Sequence, residues 1–191
     1  MTCTASIDTP IGPIEVVARD GAIVSVRFVD GSVAGVRACD SARLGGAESR
    51  EACEAIAQLR AFFAGELREF DLPLAPWGTP FQARVLHEVR GISYGRTCTY
   101  GEIALRIGSA GASRAVGAAN ARNPWPIVVP CHRVVGAGGL LTGYGGGTWR
   151  KQWLLGHEGG GLALPLPAAT GAAAHSNAEV VYATGPRSTG L

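Results

Sequence analysis

A chain of 191 residues suffices for one domain, or for two small ones sharing an interface. Hydrophobic residues make up 47% and charged residues 17%, and no apolar run reaches the roughly 18 residues that a membrane helix needs. The formal net charge of +2 is unevenly spread: residues 1–78 balance at −4, residues 79–158 at +6.

That asymmetry suggests that the middle of the chain faces a polyanion. The opening Met1-Thr2-Cys3-Thr4 has neither a basic nor an apolar stretch, so the expectation is a cytoplasmic protein with no membrane partner. The five cysteines, Cys3, Cys39, Cys53, Cys98 and Cys131, are odd in number and widely spaced, with no C-x-x-C pair. They are expected as free thiols, and Cys39, Cys53 and Cys98 as small apolar fillers.

Residues 5–29 read as a β-hairpin. Ile14, Val16 and Ala18 alternate before Asp20-Gly21, and Ile23, Val24, Val26 and Phe28 follow it; Asp-Gly between apolar runs is a hairpin-turn signal. Residues 31–47, rich in Gly, Ala and Ser, read as a loop. Residues 49–64 read as a helix, with Ala52, Ile56, Leu59, Phe62 and Phe63 at helical spacing and Gly65 at its end. Nothing in this part is reactive, and its expected role is scaffolding.

Pro73, Pro76, Gly78 and Pro80 read as a linker, followed by a helix over 80–91. Thr99 and Glu102 form a capping-box pattern that opens a helix carrying Ile103, Ala104 and Ile107. Gly108-Ser109-Ala110-Gly111 breaks it, and Ser113 is positioned to cap another helix through Ala121. Two short helices around a tight turn in the basic half suggest a helix-turn-helix. The second carries Ala115, Gly117, Ala118 and Ala119 behind Arg114. Such a small-residue face suits close packing on a neighbouring helix or entry into a DNA groove; the arginine and the basic surroundings favour the groove.

Ile127-Val128-Val129 reads as a buried strand that Pro130 stops, which places Cys131 at a strand end. His132 follows directly. A thiol with a pKa of about 8.5 needs a nearby base to become a nucleophile, and a histidine near 6.5 can accept and pass its proton. Adjacent side chains point apart, so a bridging water is expected between them. The histidine in turn needs an orienting carboxylate. The basic segment holds only Glu88, Glu102 and Glu158, and Glu102 is committed to its cap. Glu158, at the end of a helix that Thr148 is positioned to cap, is the expected orienter. Lys151, the only lysine beside 16 arginines, is expected to approach Cys131 and favour its thiolate. An ordinary exposed lysine is the alternative. Residues 162–191 show no period and read as a loosely ordered tail.

Pro130-Cys131-His132-Arg133-Val134 resembles the signature of the O6-alkylguanine-DNA alkyltransferases. Tyr94-Gly95, Thr99-Tyr100, Arg114-Ala115-Val116-Gly117, Asn123-Pro124, Gly143-Tyr144-Gly145-Gly146-Gly147 and Trp153-Leu154-Leu155-x-His157-Glu158 follow in the family's order and spacing. The resemblance covers residues 79–158 closely. It covers the N-terminal part loosely, through Asp8-Thr9-Pro10-Ile11-Gly12 and the hairpin.

It implies an α+β protein. A small N-terminal α/β scaffold of antiparallel sheet and helix (1–75) precedes a mostly helical domain with a helix-turn-helix (79–161), then the tail. It implies direct-reversal DNA repair. O6-alkylguanine, with O4-alkylthymine left open, is flipped out of double-stranded DNA and its alkyl group moves irreversibly to Cys131, once per protein molecule. Cys131 is then the acceptor, His132 the water-mediated base, Glu158 its holder, and Asn123 the tie between the helix-turn-helix and the active-site turn. Arg114 fills the gap in the base stack, flanked by Ser113 and Ala115 on the DNA-facing helix. Tyr100 presses on the 3′ phosphate and protonates the leaving guanine. Tyr144 lines the alkyl pocket, the Cys131 and Val134 carbonyls accept from the guanine amino group, and amides at Tyr144-Gly145 lie near O6.

No cofactor is expected. Some family members bind zinc in the N-terminal part, but here no histidine precedes His87 and three cysteines are scattered, so no structural zinc is expected. Where the family often has serine, this chain has Gly145, which suggests a roomier pocket. A monomer is expected, with cooperative binding on DNA left open. The rival readings are an alkyltransferase-like binding module, against which Cys131 argues, and a Cys-His hydrolase, for which a helix-turn-helix has no purpose.

Overall fold

The computed structural model describes residues 2–29 and 47–159. The expected loop before Ala47, Cys39 and the expected tail lie outside them. Three antiparallel strands, β1 (Thr2–Ile7), β2 (Ile14–Arg19) and β3 (Ala22–Phe28), form a sheet in that order. The β2–β3 turn is the expected one. Asp20 and Gly21 both take positive φ, 51° and 77°, and these two left-handed residues match the twist of the flanking strands. Strand β1 was not expected: its residues alternate too weakly in hydrophobicity to announce it, and pairing with β2 from Thr2↔Arg19 to Ile7↔Ile14 makes it a strand.

Ile14, Val16 and Ala18 bury one face of β2 completely. Helix α1 (Ala47–Phe63) packs across β1 and β2 and fills that face with Ala52, Ala55, Ile56, Leu59 and Phe62. Full burial of each large apolar side chain contributes about 2 kcal/mol. The helix ends as expected at Gly65, where Gly65 N donates to Phe62 O (2.9 Å) and Glu66 N to Ala61 O (2.8 Å), satisfying its last carbonyls.

The far edge of β3 is not free. Ile23 N donates to Pro73 O at 2.7 Å and Ala75 N to Ile23 O at 3.0 Å, so the expected linker doubles as an edge cover. Further along, Val26 N donates to Pro124 O at 2.8 Å and the Trp125 indole to Ile23 O at 2.8 Å.

Helix α2 (Pro80–Arg90) opens on Thr79, whose hydroxyl accepts from Gln82 N while Gln82 returns a bond to Thr79 N. This T-x-x-Q box, with proline at the first helical position, is a helix-start signal beyond those expected above. Helix α3 (Tyr100–Arg106) opens on the expected Thr99–Glu102 box, with bonds of 3.2 and 2.6 Å. Helix α4 (Ser113–Ala121) packs on α2 and α3. Its cap is not Ser113 but Ala112, without a side-chain bond. The turn from Ser109 to Ala112 already feeds the helix, since Ala112 N donates to Ser109 O and Val116 N to Ala112 O. Likewise α5 (Thr148–His157) is capped by Gly147 at φ 91°, a conformation that favours glycine, and Thr148 is its first helical residue.

Strands β4 (Cys98–Thr99) and β5 (Val134–Val135) pair in parallel beside α3. The two parts of the chain share one core. His157 Nε2 donates to Phe62 O at 2.8 Å, and Phe62, Tyr94, Trp153 and His157 form an edge-and-stack aromatic cluster. No helix among the described residues is long and apolar enough to cross a membrane.

Candidate functional site

The strand expected over Ile127-Val128-Val129 is a turn. All three residues are buried, as their composition demands. Prolines at 124, 126 and 130, however, have no amide to donate, so no ladder can run through the segment. Val129 N instead donates to Trp125 O and Cys131 N to Val129 O, both at 2.8 Å. Ile127 sits at φ 76°, a region that costs a β-branched residue about 1–3 kcal/mol. The tight turn delivers Cys131 onto one turn of 3-10 helix, Cys131–Arg133.

Cys131 is 5% exposed. It lines a cavity of about 230 Å³ together with Asn123, Tyr144, Gly145 and Gly146, and with Val26 and Phe28 from β3. Asn123 holds the turn from both sides: its Nδ2 donates to Val129 O at 2.8 Å and its Oδ1 accepts from Trp125 N at 3.0 Å. Asn120, on the last turn of α4, adds a bond to Cys131 O at 3.3 Å. Two asparagines therefore hold the turn, where the resemblance implies Asn123 alone.

Behind the cysteine, His132 is completely buried, and its Nε2 lies 2.8 Å from Glu158 Oε1. The carboxylate requires a donor, so Nε2 carries the proton and Nδ1 is the basic nitrogen. That Nδ1 is buried and has no partner in the protein. Burial holds the imidazole below its ordinary pKa, against the pull of Glu158, so the ring is neutral. Glu158 caps α5 and collects further donors: Arg133 Nη2 on Oε1 at 2.9 Å, Arg133 Nε on Oε2 at 2.9 Å, and Gly95 N on Oε2 at 3.2 Å. Burial alone would raise its carboxyl; the hydrogen bonds from His132 and Arg133 and the Arg133 charge instead hold it down at about 2. Arg133 had not been singled out. Its signal was its place in the motif: an arginine buried next to a buried histidine requires a carboxylate. Gly95 is glycine for a steric reason, since a Cβ there would lie 2.9 Å from Glu158 O.

Burial pushes the Cys131 thiol above its ordinary value. A hydrogen bond from Asn123, the charge of Lys151 and the Tyr144 hydroxyl all oppose that. Lys151 is fully buried and donates to Val134 O at 2.6 Å and Thr142 O at 3.2 Å. Burial lowers its own pKa to about 8, against the pull of Cys131. Burial, then the neighbouring Cys131, raises the Tyr144 phenol.

An apolar groove leads outward from the cavity past Tyr144 and Gly145, bordered by Tyr100, Ser113, Arg114 and Thr142. Arg114 and Ala115 are exposed on the first turn of α4. Tyr100 opens α3, and its hydroxyl accepts from Thr142 Oγ1 at 3.2 Å. Val134 is the residue that the structure does not bring to the cavity wall. Its side chain is buried elsewhere and its carbonyl already accepts from Lys151.

Two family models match: the DNA-binding domain of 6-O-methylguanine DNA methyltransferase over residues 80–160, and the ribonuclease-like domain of the same protein over residues 3–76. A methylated-DNA–protein-cysteine methyltransferase of Mycolicibacterium paratuberculosis is 49% identical over 154 residues, 80% of this chain and 90% of that one. One from Methanosarcina acetivorans is 49% identical over 156 residues, covering 81% and 97%. The crystal structure of Mycobacterium tuberculosis O6-methylguanine methyltransferase superposes with a TM-score of 0.70 at 44% identity, over 88% of this chain and 97% of that one. A structure of the tuberculosis protein in complex with DNA gives 0.68 at 46% identity, over 81% and 91%. Both stretches of the chain match, and relatives at 49% identity align over four-fifths of it, so the chain belongs to the 6-O-methylguanine DNA methyltransferase family.

Proposed function

We propose that this protein repairs O6-alkylguanine in double-stranded DNA by taking the alkyl group onto Cys131 Sγ, once per molecule. The observation that carries the reading is the placement of Cys131: enclosed in a cavity, backed by His132 and Glu158, and opening on the groove beside α4. An alkyl carbon on O6 lies inside the duplex, so the nucleotide has to leave the stack, at a cost of a few kcal/mol. Arg114, exposed on α4, takes the vacated place, with Ser113 and Ala115 against the backbone. Tyr100, at the groove's rim, bears on the 3′ phosphate.

In the transfer step, His132 Nδ1 accepts the thiol proton through a water. The sulfur lone pair forms a bond to the alkyl carbon as the carbon–O6 bond breaks. The electron pair goes to O6, and the guanine is protonated by Tyr100. Asn123 keeps the turn in place, Tyr144 and the Gly145 amide face the leaving oxygen, and the amino group is read by the Val134 carbonyl and by the Cys131 carbonyl, which also accepts from Asn120 Nδ2 and Val134 N. The thioether has no exit route. No metal or cofactor enters the scheme. The protein acts as a monomer in the cytoplasm. Its hold on DNA comes from phosphate contacts and weakens steeply with salt.

The test is intact mass after incubation with a duplex containing one O6-methylguanine. The expected result is one added methyl, mapped to Cys131 and saturating at one per protein. Lesion-selective binding without mass change would make the chain a recognition module, and turnover would make it a different enzyme.

The charge on Lys151 also predicts a pH dependence. The thiolate fraction rises with pH, but above about pH 8 Lys151 loses the charge that favours it. The transfer rate is therefore expected to rise with pH, but less steeply above about pH 8. In Lys151→Met that change of slope should vanish and the neutral-pH rate drop about tenfold, equivalent to one pKa unit on the thiol. A change of slope that survives the substitution assigns it to another group.

A further inference from the structure

The N-terminal sheet does more than support the helical part, because its third strand reaches the cavity. Val26 N and Ile23 O bond the turn that carries Cys131, through Pro124 O and the Trp125 indole. Two residues past Val26, at the end of β3, Phe28 lines the same cavity as Cys131 and meets Tyr144 edge-on, with ring centroids 6.3 Å apart.

The glycines of the facing loop separate two kinds of wall. A Cβ at Gly145 would meet only Ala121 O, at 3.8 Å, in ordinary contact. A Cβ at Gly146 would lie 2.6 and 2.7 Å from two carbons of the Phe28 ring. Phe28 therefore occupies the space that any side chain at 146 would need, and it presses directly on the loop backbone.

The ring is also braced. The Arg150 guanidinium carbon lies 4.7 Å from the Phe28 centroid and 4.6 Å from that of Trp149, so it stacks against both rings. The same arginine donates to Gly146 O at 2.6 Å and to Ile11 O at 2.7 Å. Loop, sheet and α5 are thus clamped through one guanidinium around the ring.

We propose that Phe28 is a specificity-determining residue: carried in by β3 and clamped by Arg150, its ring sets the size of alkyl group that the Cys131 cavity admits. This rests on Cys131 being the alkyl acceptor. It also moves the size limit away from Gly145, where an added Cβ would make only ordinary contact with Ala121 O.

The experiment compares rates of Cys131 alkylation by duplexes carrying O6-methylguanine or O6-benzylguanine, in wild type, Phe28→Leu and Phe28→Trp, with thermal melts to confirm folding. Removing ring bulk should raise the benzyl-to-methyl rate ratio about tenfold, the scale of a methylene-sized change in an apolar pocket. Phe28→Trp should lower it. Arg150→Met, which releases the clamp, should shift the ratio in the same direction as Phe28→Leu. A ratio that stays within about twofold of wild type in every folded variant, or both rates falling together, overturns the assignment and makes Phe28 a packing residue only. Wild type that is alkylated by neither duplex overturns the acceptor reading as well.

Discussion

Cys131→Ser is expected to bind alkylated duplex yet gain no mass, with the transfer rate reduced on the order of 10⁶-fold, as when a catalytic unit loses its nucleophile. The site offers nothing that could rescue an alcohol. Burial already raises the thiol, and the far weaker acid would be raised from a higher starting point. His132 is held below the ordinary histidine range and cannot deprotonate a hydroxyl. The measurement is quantitative mass spectrometry over many wild-type half-times. Methyl gain in the Cys131→Ser protein, mapped to Cys3, Cys39, Cys53 or Cys98, would remove Cys131 from the reaction.

Glu158→Ala should damage stability and chemistry together. The substitution leaves Arg133 charged and buried with only Ile92 O remaining on its Nη1, and breaking one side of a buried ion pair costs about 3–5 kcal/mol. The pKa of Glu158 gives a similar scale. Held at about 2 in the folded state and near 4.3 in an unfolded chain, it contributes about 3 kcal/mol. A depressed folded value means that this contribution is complete above the unfolded pKa and is lost as pH falls toward 2. Wild type should therefore lose stability between about pH 4.3 and 2, and the variant should lose less there. The transfer rate should fall by at least about 10²-fold, since His132 loses the partner that fixes its tautomer. Denaturant melts at pH 7 and pH 3 decide: a deficit that is the same at both pH values would show that the carboxylate is not ionised in the native network.

The chemistry was legible because it is local. Pro130-Cys131-His132 is contiguous, and elimination among three acids led to Glu158, which the structure places 2.8 Å from the histidine. Helix periods, the Asp20-Gly21 turn and the Thr99–Glu102 box were legible for the same reason. What was missed depends on contacts across the chain. The apolar content of 127–129 predicted burial correctly but not conformation, because three prolines veto a ladder while leaving the side chains inside. Ser113 and Thr148 have the right residue type for caps, yet neighbouring turns deliver Ala112 and Gly147 to those positions. Phe28 looked like any hairpin residue, and only the fold carries it to a cysteine more than a hundred residues away.

The covered edge of β3 has a consequence for how the chain can be divided. Two stretches of sequence answer to two family models, which invites separate production of each. A cut at Gly78, however, would leave Pro73 and Ala75 on Ile23 but remove Pro124 and Trp125, so the Val26 amide would be open at the edge of an apolar strand, a start for pairing with another copy. The second fragment would in turn lose the strand that holds Pro124 and Trp125. The two stretches answer to separate models in sequence but close one hydrophobic core in the fold.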